Sequence, residues 1–151
     1  MYTIIYFSPT GNSKHLTKIL ARELGLNESE LLPLEFTKPN ELKPNKHLVL
    51  VFPIHGFNAP RTVKRFVKNI PNRLFEKVSL IAVGCNDLWL NNAVSLDLRR
   101  TFKKKSITII VDEIIAMPLT FVMAFPEETK DKVISEGEKK IIKIGETIAN
   151  N

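Results

Sequence analysis

Tyr6-Phe7-Ser8-Pro9-Thr10-Gly11-Asn12-Ser13 closes an apolar run and opens a helical one, with the composition of a loop built for an anion. Met1 to Phe7 sets β-branched and aromatic residues in nearly continuous order, as a strand buried on both faces does. From Lys14 the period changes: Leu16, Ile19, Leu20 and Leu24 recur at helical spacing until Gly25 offers a C-cap. Between strand and helix lie hydroxyls at Ser8, Thr10 and Ser13, an amide at Asn12, and Gly11, which lets a ligand approach the backbone closely. The free N–H groups and positive dipole end of the helix's first turn point at this loop, so it can hold a phosphate without a lysine. Neither Gly-Lys-Ser/Thr nor G-x-G-x-x-G is present, which excludes the two commonest nucleotide-binding loops.

The 151 residues suit one layered domain over 1–151, and 44% hydrophobic with 25% charged content is globular. The longest apolar runs, near Leu48 to Ile54 and Ile107 to Val111, fall short of the roughly 20 residues that span a bilayer, and no secretory leader is legible. The expectation is a cytoplasmic protein that makes no membrane contact. One cysteine, Cys85, excludes an internal disulfide and a four-cysteine iron–sulfur cluster within this chain. An electron-carrying centre would therefore be organic or borrowed. A cysteine phosphatase needs an arginine about six residues after its nucleophile, where Asn91 stands. Neither His15 nor His47 has a histidine or cysteine at ligand spacing, so no metal site is expected.

Further strands are expected at Glu30 to Leu34, Leu48 to Phe52, Val78 to Val83 and Ile107 to Val111, the last extending toward Ile115. Helices are expected at Arg61 to Ile70, Asn91 to Phe102 and Thr129 to Ala149, while Pro39 and Pro44 oppose one within Glu35 to Lys46. Strands alternating with helices specify a three-layer αβα fold, a parallel sheet covered on both faces by right-handed crossovers.

Ser8-x-Thr10-Gly11-Asn12-Ser13 resembles the phosphate loop of the flavodoxin family, Thr/Ser-x-Thr-Gly-Asn-Thr/Ser, in the same place after the first strand. The resemblance implies a five-stranded parallel sheet of order 2-1-3-4-5 and FMN at the switch point between strands one and three. Ser8, Pro9, Thr10, Gly11, Asn12 and Ser13 would then hold the FMN phosphate. Pro53-Ile54-His55-Gly56-Phe57-Asn58-Ala59-Pro60 resembles the family's Pro-x-Tyr-Gly-x-x-x-Pro loop, with His55 in place of tyrosine. It implies ring contacts from Pro53, Ile54, His55, Gly56, Phe57 and Asn58, with Phe57 or His55 as the stacking group. Gly84-Cys85-Asn86-Asp87-Leu88-Trp89 ends strand four where flavodoxins place a second ring loop. Gly84, Cys85, Asn86, Asp87 and Trp89 are its candidate contacts, with Asp87 an acceptor for ribityl hydroxyls or the ring N3–H.

Met117-Pro118-Leu119-Thr120 looks like the Met-Pro-x-Asn segment of flavodoxin-like domains fused elsewhere to ferredoxin modules, although the cysteine-rich half is missing here. Strand five carries no insertion, as in short-chain flavodoxins. The resemblance implies an electron carrier shuttling between redox proteins. The alternatives are an FMN-dependent NAD(P)H reductase or an interaction module that has lost its flavin. The net charge of +6 departs from the acidic flavodoxins. Arg61, Lys64, Arg65, Lys68 and Arg73 form one basic segment, and Arg99, Arg100, Lys103, Lys104 and Lys105 another. An acidic ferredoxin or reductase is the partner this charge suits. Nucleic acid is the weaker option, since no recognition helix or stacking platform accompanies the charge.

Overall fold

The computed structural model describes residues 1–84, 93–118 and 126–151. Strands Tyr2–Tyr6 (β1), Leu32–Pro33 (β2), His47–Pro53 (β3), Lys77–Gly84 (β4) and Thr108–Ala116 (β5) pair in parallel, in the order β2-β1-β3-β4-β5. Helices Asn12–Glu23 (α1), Arg61–Asn69 (α2), Leu96–Lys104 (α3) and Glu127–Ala149 (α4) cover the two faces. The unbroken apolar run of β3 resolves by its period of two. Leu48, Leu50 and Phe52 pack with Val63, Phe66 and Phe102 under α2 and α3. Val49 and Val51 pack with Leu16, Leu20 and Ile141 under α1 and α4.

Nine residues make a helix too short to stand alone in water, so α2 depends on its docking face. Val63, Phe66 and Val67 are buried there, each contributing roughly 1.5–3 kcal/mol. Helix α4 closes against its neighbours through two glycines. A Cβ on Gly137 would lie 3.0 Å from the Ala116 carbonyl oxygen, and one on Gly145 would lie 2.9 Å from the Cβ of Glu23 in α1. From the same helix, Lys140 donates its ammonium to the Ile114 carbonyl of β5 at 2.6 Å and pairs with Glu113 at 3.4 Å.

The second strand is shorter than the expected Glu30 to Leu34. Residues Glu28–Glu30 form a 3-10 turn instead, locked because the Glu30 carboxylate accepts the Asn27 N–H at 2.7 Å. Leu34 begins another such turn, Leu34–Phe36. The connection from β2 to β3 has no helix among its described residues; a third 3-10 turn, Pro39–Glu41, starts on the proline that cannot sit inside a helix. Leu34 and Leu42 seal that face of the sheet in place of a full crossover helix. Helix α3 starts at Leu96 after a turn at 93–95, later than the expected Asn91, which lies outside the described residues. Strand β5 continues through Ile115 to Ala116.

Candidate functional site

The carboxyl ends of β1 and β3 lie side by side with β2 beyond β1, so the chain leaves the sheet in two directions there. From β1 it passes through Ser8–Thr10 to Gly11, which takes φ +99° and caps α1. That left-handed backbone is why a glycine stands here. Helical bonding in α1 begins with the His15 N–H on the Gly11 carbonyl at 2.9 Å, leaving earlier amides without intrahelical partners. The Ser8 hydroxyl accepts the Lys14 N–H at 2.9 Å. The same hydroxyl carries one O–H donor of its own. The first turn holds no acidic residue, so nothing there competes with an incoming anion. Asn12 Nδ2 donates to the Pro118 carbonyl at 2.9 Å, tying the loop to the chain leaving β5. Pro9, Thr10 and Gly11 are exposed, Ser8 and Asn12 half-buried and Ser13 buried.

The second loop leaves β3 at Pro53 and folds into a tight hairpin. The His55 N–H meets the Asn58 carbonyl at 2.8 Å, and the Asn58 N–H returns to the His55 carbonyl at 3.1 Å. Gly56 at φ +54° and Phe57 at φ +61° form its tip, the sign pattern of a type I′ turn. A bulky aromatic in that region is strained, and Phe57 is 75% exposed rather than packed against the core. The His55 ring stands edge-on to Phe7 at 6.3 Å, which brings this loop onto the root of the first. Ile54 donates its N–H to Val83 at 2.9 Å, and its side chain crosses the end of β4 so closely that a Cβ on Gly84 would lie 2.7 Å from Ile54 Cδ1. Met117 donates its N–H to the Gly84 carbonyl at 2.7 Å. The structure therefore brings the Ser8–Ser13 loop, the Pro53–Asn58 loop and Gly84 to one end of the sheet. Cys85, Asn86, Asp87 and Trp89 lie outside the described residues.

No family model matches the chain, and no curated protein matches it. Solved structures do. A flavodoxin of Streptococcus pneumonia TIGR4 is 18% identical with a TM-score of 0.60, each chain covered over 94%. The fold is flavodoxin-like. A flavodoxin from the domain Archaea aligns over 98% of this chain and 99% of its own, at 13% identity and TM-score 0.61. Rubredoxin oxygen:oxidoreductase from Desulfovibrio gigas matches 98% of this chain with 37% of its own length, at 12% identity and TM-score 0.58. The flavodoxin-like core thus occurs both as a whole chain and as part of a larger one.

Sequence reasoning missed how the basic segments are used. Lys64 bonds Asp97 of α3 at 2.8 Å, and that ammonium holds the Asp97 carboxyl below its usual range. Arg99 lies 3.3 Å from Asp112 of β5, and Lys105 donates to the Ile70 carbonyl at 2.7 Å. Arg61, Arg65 and Lys68 are exposed on α2. His47 is buried and bonded to Ser79 Oγ at 2.8 Å, while His15 pairs with Glu138 at 2.7 Å. Among the described residues no group of three or more His, Cys, Asp or Glu could hold a metal ion, and no helix is long and apolar enough to cross a membrane.

Proposed function

We propose that the protein binds FMN noncovalently and works as an electron-transfer flavoprotein of the cytoplasm. The observation that carries this is the Ser8–Ser13 loop: a left-handed glycine at the helix cap, first-turn amides without intrahelical partners, hydroxyls at Ser8, Thr10 and Ser13, and no acid in the first turn. Ser8, Thr10, Gly11, Asn12 and Ser13 would hold the phosphate. The hairpin at His55–Asn58, with Pro53, Ile54 and Gly84 beneath it, would wall the rings, and Phe57 or His55 would stack. Cys85, Asn86, Asp87 and Trp89 complete the proposed cofactor set. When bound, the flavin supplies one- and two-electron chemistry; the chain orients it and sets its potential through stacking and hydrogen bonds. An acidic ferredoxin or reductase is the proposed protein partner, met by the exposed cations of α2.

Titration with FMN tests this reading. Binding should quench flavin fluorescence, and riboflavin, lacking the phosphate, should bind far more weakly. Thr10→Ala should weaken FMN by about 1.5–3 kcal/mol, the range for a hydrogen bond to a charged group. Equal affinities for riboflavin and FMN would remove the phosphate role of the loop. No quenching at micromolar FMN would favour an interaction module without flavin.

A further inference from the structure

At the amino end of the sheet, Tyr2, His47, Lys77 and Thr108 start neighbouring strands in one row. The seven residues of β3 set this end roughly 20 Å from the loops of the candidate site. Three segments outside the sheet meet there. The Asn45 N–H donates to the Leu74 carbonyl at 3.0 Å, and the Lys46 carbonyl accepts the N–H groups of Glu76 at 3.1 Å and Lys77 at 3.0 Å. The Thr108 N–H reaches the Glu76 carbonyl at 3.0 Å, and the Lys105 ammonium reaches the Ile70 carbonyl at 2.7 Å. Segments 43–46, 70–77 and 103–108 carry seven cations against one carboxylate, Glu76. Lys77 and Lys105 are engaged by backbone carbonyls, those of Asn151 and Ile70. The other five, Lys43, Lys46, Arg73, Lys103 and Lys104, are exposed, and none of their charged groups meets a carboxylate among the described residues.

Lys103 and Lys104 lie in the last turn of α3, where the helix dipole alone favours a cation. Lys43, Lys46 and Arg73 stand outside any helix, so the dipole does not account for them. Arg73 also takes φ +62°, a left-handed backbone that glycine would hold without strain. Strain of this kind collects at functional positions. We propose that this end of the molecule rests on the anionic face of a phospholipid membrane, leaving the candidate flavin site turned toward solution. The three segments hold none of the exposed large hydrophobic side chains found among the described residues, and a protein interface ordinarily centres on such anchors. Helices α2 and α3 both end here, so their carbonyl ends oppose the close backbone contact that nucleic-acid phosphates make. A charged leaflet attracts lysines through its field, within a Debye length and without close contact. Such attachment needs no spanning helix.

Co-sedimentation with vesicles tests this. The protein should pellet with vesicles of phosphatidylcholine and phosphatidylserine, stay in solution with phosphatidylcholine alone, and be released as salt rises. At roughly fivefold per cation, changing Lys43, Lys103 and Lys104 together to glutamate should weaken binding by more than about a hundredfold. Arg73→Gly should weaken it about fivefold while raising the denaturation midpoint, a pairing of effects that a purely structural arginine would not give. Arg61→Glu, at the other end of α2, should leave vesicle binding nearly unchanged. Equal binding to both vesicle types, no binding at low salt, or undiminished binding in Arg73→Gly each overturn the proposal, whether or not the protein binds FMN. Duplex DNA that strips the protein from the vesicles at equal phosphate concentration would assign the surface to nucleic acid and overturn it as well.

Discussion

His47 is a side chain whose protonation state the fold controls. Burial, followed by the nearby Lys77 charge, lowers its pKa to about 4 from the ordinary 6.5, and Tyr2 stacks at a tilt 5.7 Å away. The unfolded chain therefore binds more protons than the folded one between those two values. Stability from this group is fully present above pH 6.5 and is lost as pH falls toward 4, by a total on the order of 3 kcal/mol. Urea unfolding at pH 7 and pH 4.5 should show this loss in the parent protein and a smaller one in a His47→Phe, Ser79→Ala pair. Phe57 is strained in a different way. Replacing it by glycine should relieve the left-handed backbone and raise stability by about 1 kcal/mol. If Phe57 is the stacking group, the same change weakens FMN, so denaturant midpoint and flavin affinity move in opposite directions. The glycine at position 84 offers a third test. A methyl there displaces Ile54, so Gly84→Ala should alter FMN affinity more than the unfolding midpoint.

At the level of elements, α2 divides its charge between structure and surface. Lys64 is committed to Asp97, so reversing it would set two carboxylates together and mix destabilisation with any change in steering. Changing Arg61, Arg65 and Lys68 to glutamate avoids that. With an acidic ferredoxin as donor, the association rate should fall in this variant and FMN affinity stay nearly constant. In the parent, the rate should drop as salt rises to physiological strength, where the Debye length is about 8 Å. Stopped-flow reduction measures both; insensitivity to each would make α2 an ordinary solvated helix. These pairings also mark where sequence reading stops. The strands β1, β3 and β4 and the helices α1 and α2 were legible because their periods are local, and the loop at Ser8–Ser13 because its residue types are. The two-residue β2 was less so, since Asn27 and Glu30 close a turn that competes with extension. Lys64–Asp97 joins residues 33 apart and Lys105 reaches the Ile70 carbonyl across 35, and neither periodicity nor composition encodes such meetings.

For the whole molecule, the close approach of α4 to α1 and β5 ties the last helix to the sheet's far side. Gly137→Ala would gain about 1 kcal/mol of helix propensity. The added methyl meets the Ala116 backbone oxygen, which cannot swing aside, so overpacking of about 1–3 kcal/mol should dominate and lower the thermal midpoint. A midpoint that rose would mean α4 can shift outward freely. The contact of Lys140 with Ile114 has a consequence for behaviour in concentrated solution. The last strand of an open sheet is a template on which another chain can add a strand, and fibrils or swapped dimers grow from such borders. Here a charged arm lies across that border, occupying a carbonyl a visiting strand would use and requiring it to displace an ammonium group. The protein carries its own guard against recruitment into shared sheets, and Lys140→Ala should self-associate at lower concentration than the parent, as sedimentation would detect.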